Sequence, residues 1–149
     1  MAQQRCLVDT NVLLRLENPH SDDHSVCDGA IRSLQRRDAL LYYTLQNASE
    51  FWNVSTRPLD RNGQGLTSER AAQGLSLIEQ KMTLLSDNER VYTEWRRLVV
   101  TCHVKGVQVH DARLAAAMIA HQIPQILTLN GRDFDRFTEI EAIHPATLL

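Results

Sequence analysis

Short apolar runs alternate along this chain with longer stretches in which apolar residues recur at helical spacing. Leu7-Val8 with their neighbours, Ala39-Leu40-Leu41-Tyr42-Tyr43, Thr83-Leu84-Leu85 and Ile126-Leu127-Thr128-Leu129 are each too short for a helix and bounded by polar residues. That pattern predicts four strands. Ser21 opens a stretch with Val26, Ala30 and Leu34 on one side, and Thr67 opens another with Ala71, Leu75, Ile78 and Met82 in line despite Gly74. Ser86-Asp87-Asn88-Glu89 reads as a capping box ahead of Val91, Trp95, Leu98, Val99 and Cys102, predicting a helix to about Val104 with Gly106 just past its end. Asp111 heads an Ala-rich run that Pro124 closes. Strands alternating with helices need crossover connections, so the pattern predicts an α/β fold with a central, mainly parallel sheet of four or five strands. In such sheets functional groups gather at the carboxyl ends of the strands.

Composition narrows the class. With 149 residues, 43% hydrophobic and 23% charged, residues 1–149 are expected to form one globular domain. A chain of that length needs no disulfide or metal staple, and Cys6, Cys27 and Cys102 form no C-x-x-C pattern, which fits a reducing, cytoplasmic setting. Asp9 follows only two apolar residues at the N-terminus, far short of a signal peptide, and no run approaches a membrane span. A net charge of -2 argues against a generally basic nucleic-acid surface. It leaves room for an enzyme whose positive charge is local or supplied by a metal ion.

Four carboxylates then stand out by position. Asp9 sits where the first strand stops, ahead of Thr10-Asn11. Glu50 lies in Thr44-Leu45-Gln46-Asn47-Ala48-Ser49-Glu50-Phe51-Trp52, a predicted helix with Leu45, Ala48 and Trp52 on one stripe and Glu50 pointing away. Asp111 opens the Ala-rich helix, and Asp133 follows Thr128-Leu129-Asn130-Gly131-Arg132 at the end of the last predicted strand, with Asp135 as its neighbour. Each has a plain structural explanation as a helix cap or a solvated surface acid. Together, all four fall at the edge that a parallel sheet would bring to one place. Carboxylates crowded in one cleft repel each other unless a cation neutralises them, and the oxygen-only donor set suits Mg²⁺ or Mn²⁺.

The ordered set Asp9-Thr10-Asn11, Glu50, His110-Asp111-Ala112 and Leu127-Thr128-Leu129-Asn130 with Asp133-Phe134 resembles the PIN domain, and more narrowly the VapC-like ribonuclease toxins of type II toxin-antitoxin systems. The resemblance covers essentially the whole chain. It implies a three-layer α/β/α fold and metal-dependent hydrolysis of RNA phosphodiesters. It further implies Asp9 and Asp111 as principal metal ligands, Glu50 as a third and Asp133 at the fourth, more variable acidic position. Thr10, Asn11, Thr128 and Asn130 match polar positions that orient ligands or water. A cognate antitoxin and a homodimer follow from the same resemblance, with no membrane partner.

Arg113, Arg132 and Arg136 fall near the proposed edge as candidate RNA contacts. Phe51, Trp52, Tyr92 and Trp95 are first assigned to the core, though a groove between helices early in the chain could receive an antitoxin segment. A non-catalytic PIN-like scaffold that binds RNA or protein, its acids kept as caps, is the alternative. A phosphatase using Asp9 is disfavoured because Asn11 stands where D-x-D needs a second acid. The -2 charge thereby changes meaning: outside the four acids the chain is mildly basic, as a metal-dependent RNA enzyme would be.

Overall fold

The computed structural model describes residues 2–149. Five strands, β1 (Arg5–Val8), β2 (Leu40–Thr44), β3 (Thr83–Leu85), β4 (Gln125–Leu127) and β5 (Glu141–Ile143), form one sheet in the order β3-β2-β1-β4-β5. Every neighbouring pair is parallel. Among the described residues, six α-helices connect them: α1 (Thr10–Leu16), α2 (His24–Arg36), α3 (Leu45–Thr56), α4 (Ser68–Lys81), α5 (Glu89–Thr101) and α6 (Val109–His121). Among the described residues, no helix is long and apolar enough to cross a membrane.

The period-two geometry of a strand explains the layers. Cys6 and Val8 of β1, Leu41 and Tyr43 of β2 and Leu127 of β4 face one apolar cluster, built with residues of α1 to α4 such as Leu13, Leu34, Phe51 and Ile78. Leu7, Tyr42 and Ile126 face the opposite cluster with α5 and α6. Both faces are therefore covered, which is why the strands read as short unbroken apolar runs. In α6, Leu114, Ala115, Ala116, Ala117 and Met118 are all buried. Small side chains there let the helix lie between the sheet and α5.

Several expectations about the elements need correction. β5 makes the fifth strand beyond the four apolar runs, and its three residues are exposed or half-buried and form no apolar run. Helix α5 is capped by Asn88, whose Oδ1 accepts from the Val91 N–H at 3.1 Å, and not by Ser86. Ser86 instead accepts from His121 Nε2 through its carbonyl, at 2.8 Å. The helix ends at Thr101, with Val104 N–H bonded to Val99 O and His103 N–H to Val100 O. That is a Schellman ending, and His103 takes the left-handed position (φ 52°) expected to fall to Gly106.

Helix α3 is rotated from its expected phase. Gln46, Asn47, Phe51 and Ser55 are its buried residues, while Leu45 is 57% exposed and Trp52 36% exposed. The cause is the reciprocal cap at its start: Asn47 N–H donates to Thr44 Oγ1, while Thr44 N–H donates to Asn47 Oδ1. The cap turns Asn47 inward, and Phe51 follows one turn later. Of the aromatic residues assigned to the core, Phe51 is buried, but Trp52 and Tyr92 are exposed and Trp95 is only partly covered.

Gly74 of α4 meets Phe51 directly, since a Cβ there would lie 2.8 Å from Phe51 Cζ. The glycine that looked like a flaw in the helix is thus what lets α4 approach α3. Gly74→Val should destabilise the fold by about 2 kcal/mol through overpacking, read as a lower denaturant midpoint. An unchanged midpoint would show that the two helices do not meet this closely.

The strand order places the functional edge. From β1 the chain moves outward through β2 and β3, then returns through α5 and α6 to β4 on the other side of β1. The direction of winding reverses between β1 and β4, so a crevice opens beyond their carboxyl ends.

Candidate active site

Asp9 occupies that crevice. Its N–H continues the sheet by donating to Leu127 O at 3.0 Å, and its carboxylate stands at the N-cap of α1. Oδ1 accepts from the Thr10 N–H at 2.8 Å, so the capping role is real. Oδ2 accepts from Thr128 Oγ1 at 2.8 Å and from Asn11 Nδ2 at 3.4 Å. Thr128 is fully buried; its hydroxyl also accepts from Asn11 Nδ2 at 3.3 Å and from the Asn130 N–H at 3.0 Å. Asn11 Oδ1 accepts from the Leu129 N–H at 3.2 Å, which ties the start of α1 to the segment after β4. Asn11 and Thr128 thus meet Asp9 through their side chains, and Thr10 through its backbone N–H. Asn130 joins only through its backbone.

Glu50 comes from the other side, on the half-buried face of α3. Its Oε2 accepts from Thr10 Oγ1 at 2.8 Å and its Oε1 from Gln46 Nε2 at 3.0 Å. Thr10 Oγ1 in turn accepts from Asn47 Nδ2 at 3.0 Å. The same Gln46 Nε2 reaches His110 O at 3.0 Å, so one side chain joins α3 to the first turn of α6. Asp111 sits in that turn, two residues inside the helix, and Gln108 occupies the cap position without a side-chain cap bond. Asp111 is therefore not the cap that its place at the head of the Ala-rich run suggested.

Asp133 lies in the short 3-10 turn after β4, whose Phe134 is buried in the α5–α6 cluster. The anchoring of Phe134 points its neighbour outward to the edge. The charges of Asp133 and Glu50 bear on both Asp9 and Asp111, and Asp9 and Asp111 are themselves close enough for repulsion; Asp135 contributes to neither. All four sequence-selected acids are thus brought together at one edge.

The electrostatic consequence is large. Burial raises the Asp9 carboxyl from 3.8 to about 6; the Thr128 and Thr10 hydrogen bonds oppose the rise, and the charges of Glu50 and Asp133 add to it. Asp111 is also raised to about 6, first by burial and then by Asp133, Asp9 and Glu50, with His110 pulling it down. A site that resists holding its own negative charge is one a divalent cation would relieve. Among the described residues, no three His, Cys, Asp or Glu side chains close around a point as a finished cage would. An open, oxygen-only set still fits a hard ion that keeps several waters and takes one or two carboxylates.

Arg113 is ion-paired with Asp87, while Arg132 and Arg136 are exposed on the turn that carries Asp133. Gln46 and Asn47 were given no role from sequence. The available signal was the pairing of Thr44 with Asn47 directly after a strand, and Gln46 four residues before Glu50.

Comparison with known proteins adds to this geometry. The family model described as PIN domain matches residues 6–140. A search of curated proteins gives no match. Among solved structures, a chain of VapBC-1 from nontypeable Haemophilus influenzae aligns with a TM-score of 0.71 at 14% identity, covering 95% of this chain and 98% of that one. A chain of VapBC2 from Rickettsia felis, bound to a promoter DNA fragment, gives 0.70 at 13% identity over 95% and 98%. Mycobacterium tuberculosis VapC20, a sarcin-ricin loop cleaving toxin, gives 0.57 at 17% identity over 81% and 86%. At these identities the structural likeness shows the fold.

Proposed function

Because this chain belongs to the PIN domain family, we propose that it is a metal-dependent ribonuclease that hydrolyses RNA phosphodiester bonds. In this reading it is the toxin of a type II toxin-antitoxin pair, working as a homodimer in the cytoplasm. The observation that carries the reading is the convergence of Asp9, Glu50, Asp111 and Asp133 from four separate segments, with Asp9 and Asp111 both raised to about 6.

Asp9 and Asp111 would hold Mg²⁺ or Mn²⁺, Glu50 would join them directly or through water, and Asp133 would supply the outer acid. The ion, when bound, supplies Lewis acidity and activates water for in-line attack at phosphorus. Thr128 and Asn11 orient Asp9 by donating to its Oδ2, and Thr10 and Gln46 each hold one oxygen of Glu50. Those bonds fix the direction in which the lone pairs face, the support that metal sites need. Arg132 stands ready for a phosphate next to Asp133, and Arg113 lies less than one turn after Asp111.

The antitoxin is assigned to the exposed apolar face of α3, where Leu45, Ala48, Ser49 and Trp52 with Leu75 of α4 line a groove of about 400 Å³. A helix laid in such a groove would be read by its apolar anchors. Solved relatives by fold include VapBC and FitAB complexes, which supports a protein partner.

The test is cleavage of RNA by purified, antitoxin-free protein with Mg²⁺ or Mn²⁺, against an Asp9→Asn control. Cleavage by the parent alone is expected. Divalent metal at a hundredfold excess over its Kd should also add about 2.7 kcal/mol of stability, read as a higher Tm that Asp9→Asn loses. No metal-dependent cleavage and no metal effect on Tm would favour the scaffold reading.

A further inference from the structure

A second concave feature lies on the same edge of the sheet, beyond the carboxyl end of β3. Asp87, Asn88, Val91, Tyr92, Trp95 and Arg113 line a cleft of about 360 Å³ between the start of α5 and the first turns of α6. Its floor is aromatic. Tyr92 and Trp95 have ring centroids 6.1 Å apart and planes inclined at 35°. Trp95 is held in place because its Nε1–H donates to Val109 O at 3.1 Å, and Tyr92 is 61% exposed. An exposed tyrosine beside a fixed, tilted tryptophan offers an aromatic surface, while Asp87 and Arg113 supply an acceptor and a donor at its rim.

The cleft adjoins the acidic centre, because two of its lining residues also border Gln46. Arg113 and Asp87 also line the narrow gap in front of Gln46. Gln46 binds Glu50 and the His110 carbonyl through Nε2, and its buried Oε1 has no hydrogen-bond partner. Arg113 follows Asp111 by two residues on α6. Arg113 thus borders both the aromatic cleft and the gap that Gln46 lines beside Glu50.

An aromatic surface with polar edges, adjacent to a centre for phosphodiesters, matches the chemistry of a single-stranded nucleic acid, whose bases stack and whose edges hydrogen-bond. We infer that this cleft is a nucleobase subsite, in which one base of the RNA strand flanking the scissile phosphate stacks on Tyr92 and Trp95 while Arg113 exchanges its Asp87 partner for the base edge or the adjoining phosphate. This rests on the ribonuclease reading. A second protein copy covering the same aromatic pair is the competing occupant.

The experiment uses the full chain with Trp52→Phe, leaving Trp95 as the single tryptophan reporter. Hexamers of rA, rG, rC or rU are titrated in EDTA, with an abasic ribose-phosphate hexamer as control. Saturable quenching of Trp95 by base-bearing hexamers and not by the abasic one is expected. Adding Tyr92→Ala should weaken that binding roughly 5- to 150-fold, with KM for cleavage in Mn²⁺ rising by a similar factor. Absence of quenching, equal quenching by the abasic hexamer, or conversion of a dimer to a monomer by Tyr92→Ala in sedimentation would each overturn the inference. Cleavage without base-dependent quenching would sink the base subsite and leave the ribonuclease standing. Base-dependent quenching without cleavage would do the opposite.

Discussion

If the proposed ribonuclease activity is correct, Asp9→Asn should lower the rate of RNA hydrolysis by on the order of 10³-fold, equivalent to about 4 kcal/mol of transition-state stabilisation, while making the metal-free protein more stable near neutral pH. Both effects have one origin. Asparagine keeps the shape of the side chain and an oxygen able to accept from the Thr10 N–H, so the cap on α1 survives. It removes the buried charge and, with Oδ2, the acceptor of the Thr128 and Asn11 bonds, so only part of the cost of the charge is regained. Holding that charge at neutral pH costs folding free energy, because the carboxyl has moved from 3.8 to about 6. The shift corresponds to about 3 kcal/mol as an upper bound, of which a net gain of about 1–2 kcal/mol should appear in the variant. Single-turnover cleavage and denaturant melts in EDTA measure the two effects. A variant within tenfold of the parent in rate, or less stable than it without metal, contradicts the assignment of Asp9.

Metal-free stability should fall as pH rises from about 4 to about 7, opposite to the usual behaviour of a protein stabilised by carboxylate pairs. Asp9 and Asp111 both have folded pKa values of about 6, above the unfolded value of 3.8, so the folded state binds more protons through this window. Their favourable contribution is complete below the unfolded value and is lost as pH passes through about 6. Glu17, also raised by burial, acts in the same direction. Asp9 should contribute about 2–3 kcal/mol to the fall, and the half-exposed Asp111 less, because solvent screens it. Saturating Mn²⁺ should flatten the profile, and Asp9→Asn should remove most of it. A metal-free Tm that climbs steadily over the same range would show that the acids are not crowded as described.

The acids were legible because position alone selects them: a carboxylate after β1, one on the helix after β2, one in the first turn of α6 and one after β4. The polar framework around them was harder to read. Gln46 and Asn47 sit on a helix whose apolar residues Leu45, Ala48 and Trp52 suggested the opposite phase, and only the cap between Thr44 and Asn47 decides which face turns inward. Hydrophobic periodicity assumes that apolar means buried. On α3 the buried side carries hydrogen-bonded Gln46 and Asn47 beside Phe51, while Leu45 and Trp52 stay exposed. The cap of α5 falls to Asn88 in place of Ser86 although both are good capping residues, so residue type alone does not separate them. Edge strand β5 left no signal because few of its side chains are buried.

The pairing of β1 with β4 has a consequence for synthesis of the chain. Asp9 and its closest hydroxyl donor, Thr128, lie 119 positions apart, and the strands that carry them touch only once nearly all the sequence is available. Contacts of such separation form late, after the local helices and the β1–β2 pair. A nascent polypeptide still lacking β4 holds Asp9 and Glu50 without the Thr128 hydroxyl that orients Asp9 or the Asp133 that completes the cluster. The four-carboxylate edge is thereby complete only after translation has passed the last of these residues.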